Sequence, residues 1–403
     1  MMMTTSNFNF LKEKKKKMNI LNINDLKTNK NTKCVFVSGV TGQDGSHMVD
    51  FLLKNTDYDI IGGARRLSSK NHENIKHLEK ESRFKLINFD LTDSHSISKL
   101  VEHLKPSYFI NLAAQSYVGS SWDFPVQTFE CNSTGVIHIL EAIKSYVPNC
   151  RFYNAGSSEE FGDVLYQPQD HKHPYRPRSP YGASKCSARQ IVKVYRESYN
   201  LYAIQGLLFN HEGTRRGEEF VTRKITKGVC KIYDNIKNNK PFYPIELGNV
   251  YAKRDWSDAE DFVEGIWMML NQEIYRKDLD SNSYKVSKYT PNLIGPLKEY
   301  ILSSQETHSV KEFIEISFKS LNIEGIWHGE RVNEQYSLPN DYVIHNNTVS
   351  SILVKINPDY YRPAEVDLLC GDSSLIRNEL GWKPKTSFKN LVKKMIENDI
   401  IDK

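Results

Sequence analysis

Two short runs of this 403-residue chain hold side chains whose type and spacing suit proton transfer at a carbon–oxygen centre. In Tyr181-Gly-Ala-Ser-Lys185 a phenol and an ammonium stand four residues apart, on one face if the segment is helical. A nearby ammonium favours the tyrosinate and lowers a phenol pKa from about 10, which makes the phenol a usable base. In Ala155-Gly-Ser157-Ser158-Glu159-Glu160-Phe161-Gly162, Ser157 offers a hydroxyl to a carbonyl or alkoxide oxygen, and Glu159 offers a carboxylate two residues away. Alternation along an extended segment puts Ser157 and Glu159 on one side, and Ser158 and Glu160 on the other. A Ser followed by Glu also reads as a capping box before a helix, which accounts for the residue types but not for their coincidence with the Tyr/Lys pair. The Tyr/Lys spacing recurs at Tyr233…Lys237 and Tyr284…Lys288, chance matches in a chain rich in both residues.

The elements that must position these groups alternate in type. Apolar runs predict strands at Cys34–Ser38, Asp59–Gly63, Phe84–Phe89, Tyr108–Leu112, Arg151–Ala155 and Tyr202–Phe209. Between them, helical patterns follow the first strand, cover Ser94–Lys105, lie within Val126–Tyr146 and cross Gly182–Tyr199. Strands separated by helices mean right-handed crossovers and a parallel sheet, so the fold class is α/β, a Rossmann-type doubly wound sheet. Ser157 and Glu159 then follow the fifth strand, where such sheets bind ligands, and only Tyr181 of the three Tyr/Lys pairs lies just beyond it. Past Asn210 the pattern loosens, with helical pieces at Asp261–Leu270, Val310–Leu321 and Phe388–Asn398 between Pro- and Asn-rich loops such as Asn238–Leu247. This predicts a smaller, mostly helical lobe over residues 211–403, some of it returning to the domain of residues 34–210.

The turn after the first strand, Gly39-Val40-Thr41-Gly42-Gln43-Asp44-Gly45, has the spacing GxxGxxG. The first glycine allows a tight turn, the second close backbone approach and the third close helix–strand packing, so a dinucleotide pyrophosphate sits on the helix N-terminus. The second strand runs into Ala64-Arg65-Arg66-Leu67-Ser68-Ser69, with two guanidiniums and two hydroxyls and no carboxylate. Arginine suits a 2′-phosphate, so the expected cofactor is NADP, the alternative being two surface arginines. Asp90 and Leu91, at the end of the third strand, are placed to contact the adenine.

Composition excludes several classes. Eight lysines against Glu13 and Asp25 leave +6 on residues 1–33, so the rest of the chain carries −1 of the net +5, and no basic body for nucleic acid remains. Residues 1–33 read as a disordered basic tail, with neither the apolar stretch of a secretory signal nor the arginines of a mitochondrial presequence. No run of about 18 apolar residues spans a membrane. The six cysteines (34, 131, 150, 186, 230, 370) are scattered without a CxxC pair, which argues against a metal site and for a reducing, cytoplasmic location.

The set Gly39–Gly45, Leu112-Ala113-Ala114-Gln115-Ser116, Ser157-Ser-Glu159 and Tyr181-x-x-x-Lys185 resembles the extended short-chain dehydrogenase/reductases. More narrowly, the chain resembles their GDP-mannose 4,6-dehydratase family through Leu208-Phe-Asn-His211-Glu, Arg215-Arg-Gly217, Phe220-Val-Thr-Arg-Lys224, Leu247-Gly-Asn249, Ala252-Lys-Arg-Asp-Trp256, Arg362-Pro-Ala-Glu-Val-Asp-Leu368 and Gly381-Trp-Lys-Pro-Lys385. These motifs cover about residues 34–400. The resemblance implies a hydro-lyase with NADP that turns GDP-mannose into GDP-4-keto-6-deoxymannose, feeding GDP-fucose and deoxyhexose synthesis. It implies Ser157, Glu159 and Tyr181 as the catalytic set, with Lys185 on the nicotinamide ribose. Gly39–Gly45, Arg65–Ser68, Asp90, Leu91, Leu112–Ser116, Gln127, His211 and Arg216 would line the cofactor. Asn210, Val221, Lys224, Leu247, Gly248, Arg254, Arg362 and Glu365 would hold the GDP-sugar, the arginines suiting a diphosphate. It also implies a homo-oligomer, dimer or tetramer, with the loop after Arg66 reaching a neighbour's cofactor site.

Four departures stand out. Ser157 replaces the family's threonine and loses the methyl that restricts its rotamer. Glu160 and Phe161 replace an apolar–Tyr pair, Gln127 stands where relatives carry a cofactor-contacting tyrosine, and Leu279–Lys298 reads as an inserted surface loop. An epimerase or reductase on the same scaffold needs the Tyr/Lys pair but no elimination carboxylate, so Glu159 favours dehydration. A catalytically silent GDP-sugar-binding subunit is the alternative of another class, against which the intact Ser157, Glu159, Tyr181 and Lys185 weigh.

Overall fold

The short apolar runs become strands because each can be buried on both faces of a parallel sheet. The computed structural model describes residues 20–23, 26, 33–65, 70–272, 297–339, 351–361 and 368–401. Strands β1 (Ile20–Leu21), β2 (Cys34–Ser38), β3 (Asp59–Ala64), β4 (Phe84–Asn88), β5 (Tyr108–Asn111), β6 (Arg151–Ala155) and β7 (Ala203–Leu208) pair in the order β1-β4-β3-β2-β5-β6-β7, and Ile301–Leu302 adds an eighth strand beside β7. Every pairing in this sheet is parallel. Along β2, Val35 and Val37 pack with Met48 of the Gln43–Asn55 helix, while Phe36 packs in a second core with Leu100 and Val192 of the Ser94–Leu104 and Pro180–Ser198 helices. Successive side chains therefore enter opposite layers, which makes the sheet doubly wound. The strand order reverses between β2 and β5, and a crevice opens beyond their C-terminal ends.

Two features depart from the sequence expectations. The predicted tail of residues 1–33 is interrupted, because Ile20 and Leu21 pair with Leu86 and Ile87 of β4 and Leu26 is buried in the core beneath β2. Its apolar residues are too few to declare a strand locally, but β4 would otherwise be an open edge. In the C-terminal lobe, Ile326–His328, Gln335–Ser337, Ile352–Ile356 and Ile245–Leu247 form a four-stranded sheet that the loosened pattern did not show. Its core joins Val229 of the Val221–Lys237 helix, Phe313 of the Val310–Lys319 helix and Met395 of the Phe388–Ile401 helix. Residues 1–19, Arg66, Leu67, Ser68, all but the end of Leu279–Lys298, Arg362 and Glu365 lie outside the described residues.

Candidate active site

The turn after β2 is made by backbone alone. Gly39 adopts φ +71°, and a Cβ there would stand 2.8 Å from the Ala113 nitrogen. A Cβ on Gly45 would overlap the Gly39 carbonyl oxygen, so the helix starts in direct contact with the strand end. Gly42 is the N-cap of the Gln43–Asn55 helix, and a Cβ on it would meet within 4 Å only that same oxygen, at 3.2 Å. The space over the helix N-terminus is otherwise open, which fits a pyrophosphate. Ser38 Oγ donates to Asn111 Oδ1 at 2.6 Å and accepts from the nitrogens of Leu112 and Ala113 at 3.1 Å, tying this turn to the Leu112–Ser116 loop.

The turn after β6 is made by side chains. Ser158–Glu160 is a single 3-10 turn capped by Ser157, whose Oγ accepts from the Glu159 nitrogen at 3.2 Å. The capping box is real, and its carboxylate belongs to Glu160, which accepts from the Ser157 nitrogen at 2.9 Å. Glu159 is left half-buried, facing the cleft with Ser157. The expected sidedness holds for Ser157, Glu159 and Glu160 but not for Ser158, which also borders the cleft because the segment is a 3-10 turn rather than extended.

Ser179 caps the Pro180–Ser198 helix by accepting from the Gly182 nitrogen at 3.0 Å, and Pro180 occupies its first position. Tyr181 and Lys185 are both buried on this helix, Lys185 Nζ donating to the Ala155 carbonyl at 2.9 Å. Burial pushes the Tyr181 phenol up to about 12, a hydrogen bond from Ser157 working against it and the Glu159 and Glu160 carboxylates adding to it. Burial pulls the Lys185 ammonium down to about 8. The expected lowering of the phenol by the ammonium is therefore not met here, because desolvation dominates and Nζ stands 5.9 Å from the Tyr181 ring centre.

A cleft of about 580 Å³ joins these groups. It is lined by Asp44, Leu112, Ala114, Ser116, Ser157, Glu159, Tyr181 and Lys185 from the sheet side, and by Asn210, His211, Arg216, Val221, Lys224, Leu247, Gly248 and Arg254 from the lobe. His211 Nε2 lies 3.0 Å from Asp44 Oδ2 and its ring stacks on Phe262. Burial lowers the His211 pKa, but the Asp44 carboxylate outweighs it and the net shift is upward. Desolvation likewise opposes charge on Asp44, yet His211 and Arg216 hold its carboxyl well below the usual range. Arg216 stacks on Phe220 at 3.5 Å, and Lys224 Nζ sits 3.9 Å over the Tyr360 ring. Arg254 is buried, donating to the carbonyl of the preceding residue, Lys253, at 2.9 Å.

Other expected contacts fall elsewhere. Gly39, Val40, Thr41, Gly42, Gln43, Gly45 and Ala113 stay in the turn and loop behind the lining. Arg65 is exposed at the end of β3, the Asp90 carboxylate accepts from Thr92, Leu91 is buried in the core, and Gln127 is exposed on the Pro125–Phe129 helix. Residues that the sequence reading missed include Tyr117, Trp122, Tyr360 and Tyr361 on the cleft wall, and Asn132 behind it. Asn132 lies in a π-helical turn, Glu130–Thr134, and bonds the Gln115 nitrogen, the Gln115 carbonyl and Ser184 Oγ at 2.9–3.1 Å. Such turns aim a side chain out of helical register, so no period in the sequence announces them.

The chain matches the family described as GDP-mannose 4,6 dehydratase over residues 36–288 and 295–395. It is 43% identical to the GDP-mannose 4,6 dehydratase of Drosophila melanogaster across 91% of this chain and 86% of that protein. It is 38% identical to the Homo sapiens GDP-mannose 4,6 dehydratase across 90% of each. Among solved structures it is similar to UDP-glucose 4-epimerase with UDP-glucose from Thermotoga maritima, with TM-score 0.68, 20% identity and coverage of 91% of this chain and 98% of that one. The latter likeness shows the fold, and the former two the lineage. The chain belongs to the GDP-mannose 4,6 dehydratase family.

Proposed function

As a member of that family the chain, we propose, is a hydro-lyase that converts GDP-mannose to GDP-4-keto-6-deoxymannose and water. The observation that carries this reading is the convergence of Ser157, Glu159, Tyr181 and Lys185 on one cleft whose far wall includes Arg216, Lys224 and Arg254. The glycine turn, Ser116, His211 and Arg216 would hold a nicotinamide dinucleotide, and Arg65 with Arg66 and Ser68 make it NADP through the 2′-phosphate. A nicotinamide held there would supply a hydride acceptor for sugar C4 and a hydride donor for C6, with no net consumption.

The residues supply the proton chemistry. Tyr181 removes the proton of the 4-hydroxyl, and Ser157, on the same cleft, hydrogen-bonds the oxygen at C4. With its phenol pushed up to about 12, Tyr181 must be ionised before it can accept the 4-hydroxyl proton, and Ser157 favours that ionised form. A ketone at C4 acidifies C5–H, and Glu159 takes that proton and hands one to the leaving 6-hydroxyl. One carboxylate serves both transfers because they are sequential. Lys224 and Arg254, with Arg362, pair with the diphosphate, and Glu365 with ribose hydroxyls.

The test is mass spectrometry of the purified chain incubated separately with GDP-mannose, UDP-glucose and dTDP-glucose and a trace of NADP. Loss of one water from GDP-mannose alone is the expected result. Water lost from another sugar overturns the substrate, and no loss from any of them overturns the reaction.

A further inference from the structure

Glu160 sits beside Glu159 in sequence but is buried in the core rather than half-exposed on the cleft. Glu160 is fully buried, and its two oxygens are divided between two tasks. Oε1 accepts from the Ser157 nitrogen at 2.9 Å and from Gln205 Nε2 at 2.9 Å. Oε2 accepts from Arg189 Nε at 2.6 Å. Arg189 lies one helical turn past Lys185, is itself buried, and also pairs with Glu299, whose other oxygen takes Arg196 Nη1 at 2.8 Å. Gln205 Nε2 donates in addition to the Lys185 carbonyl at 3.0 Å.

The same glutamine ends a line of buried amides. Asn111 donates to Asn154 at 2.8 Å, and Asn154 to Gln205 Oε1 at 2.6 Å, so Ser38, Asn111, Asn154, Gln205 and Glu160 are linked across the ends of β2, β5, β6 and β7. A buried charge is tolerated only where every partner is in place, so this line has one low-energy arrangement. We propose that Glu160, held by Arg189 and Gln205, is a positioning residue that sets the turn carrying Ser157 and Glu159 and locks it to the helix carrying Tyr181 and Lys185. This inference rests on the dehydratase reading of the site.

The functional reading differs from a purely structural one in what an apolar pair can replace. Leucines at both positions would remove the two charges together, which relieves the desolvation cost and preserves folding. They would leave the Ser157 nitrogen without its acceptor. The Glu160 charge also raises Tyr181, whose other charged neighbours are Glu159, Arg216 and, on its own helix, Lys185. Neutralising Glu160 therefore moves the phenol toward lower pH.

The experiment measures GDP-mannose turnover and thermal midpoint for the full chain, Glu160→Leu with Arg189→Leu, and the near-isosteric Glu160→Gln. The expected result is a double variant with a midpoint near the parent's, KM little changed and kcat down about 10–100-fold, the size of effect that misplacement by about 1 Å produces. Glu160→Gln, which keeps an acceptor for the Ser157 nitrogen, is expected to shift the acid limb of the kcat profile to lower pH. Parent-like kcat in the double variant, or an acid limb that does not move in Glu160→Gln, overturns the proposal. A parent chain that forms no dehydrated product overturns the dehydratase reading and this inference together, whereas a parent that turns over while both variants match it overturns this inference alone.

Discussion

Two turns close the C-terminal edge of the main sheet, and they are built from opposite materials. The one after β2 is shaped by missing side chains, with Gly39 and Gly45 letting backbone touch backbone. The one after β6 is shaped by buried side chains, with Glu160 tied to Arg189 and Gln205 beneath it. The difference teaches where each is vulnerable. A glycine turn fails by gaining atoms, whereas a turn held by buried charges fails by losing a partner.

The largest expected effect is on the first turn. Gly45→Ala places a methyl on the Gly39 carbonyl, an overlap with backbone that no rotamer relieves, and its cost is expected to reach about 4 kcal/mol or more in urea unfolding. An unchanged midpoint would mean that the turn is looser than its contacts, and the contrast between the two turns would collapse.

The second effect is on chemistry alone. Glu159→Gln is expected to lower dehydration by about 10²–10⁴-fold while leaving the thermal midpoint in place, since the half-buried side chain faces the cleft. Oxidation at C4 should persist, seen as reduced-nicotinamide absorbance without dehydrated product. A lost midpoint would assign Glu159 to the framework with Glu160.

A smaller loss is expected at the helix start. Ser179→Ala removes the acceptor of the Gly182 nitrogen and should cost about 1 kcal/mol by urea unfolding. Turnover should fall with it only if the first helical turn, which carries Tyr181, moves.

The smallest effect is electrostatic and joins the glycine turn to the lobe. The His211 pKa is raised, so its contribution is complete below the ordinary imidazole value of 6.5 and is lost as pH rises through the higher folded value. Asp44 is lowered, so its contribution is present above the ordinary 3.8 and is lost as pH falls through the lower folded value. The midpoint difference between the parent and His211→Gln is therefore expected to be larger near about pH 5.5 than near about pH 9. An equal difference at both would show that the ring acts by stacking on Phe262 rather than by charge.

Local pattern decided what local pattern can. The alternation of short apolar runs with helical stretches is a property of neighbours in the chain, so β2 at Cys34–Ser38 and β6 at Arg151–Ala155 were legible to the residue, and Gly39–Gly45 and Tyr181…Lys185 could be placed at strand ends. Alternation along the chain already set Glu159 apart from Glu160, but only the tertiary structure decided that Glu160 is buried against Arg189 and Gln205. It also overrode the expected lowering of the Tyr181 phenol, because burial depends on the packing of distant segments. The partners of Glu160 lie 29 and 45 residues along the chain, and Ile245–Leu247 finds its strand partner at Ile352–Ile356. Such pairings leave no periodic signal, since what selects them is the cost of a buried charge or an unpaired strand edge, a quantity defined only once the chain has closed around it.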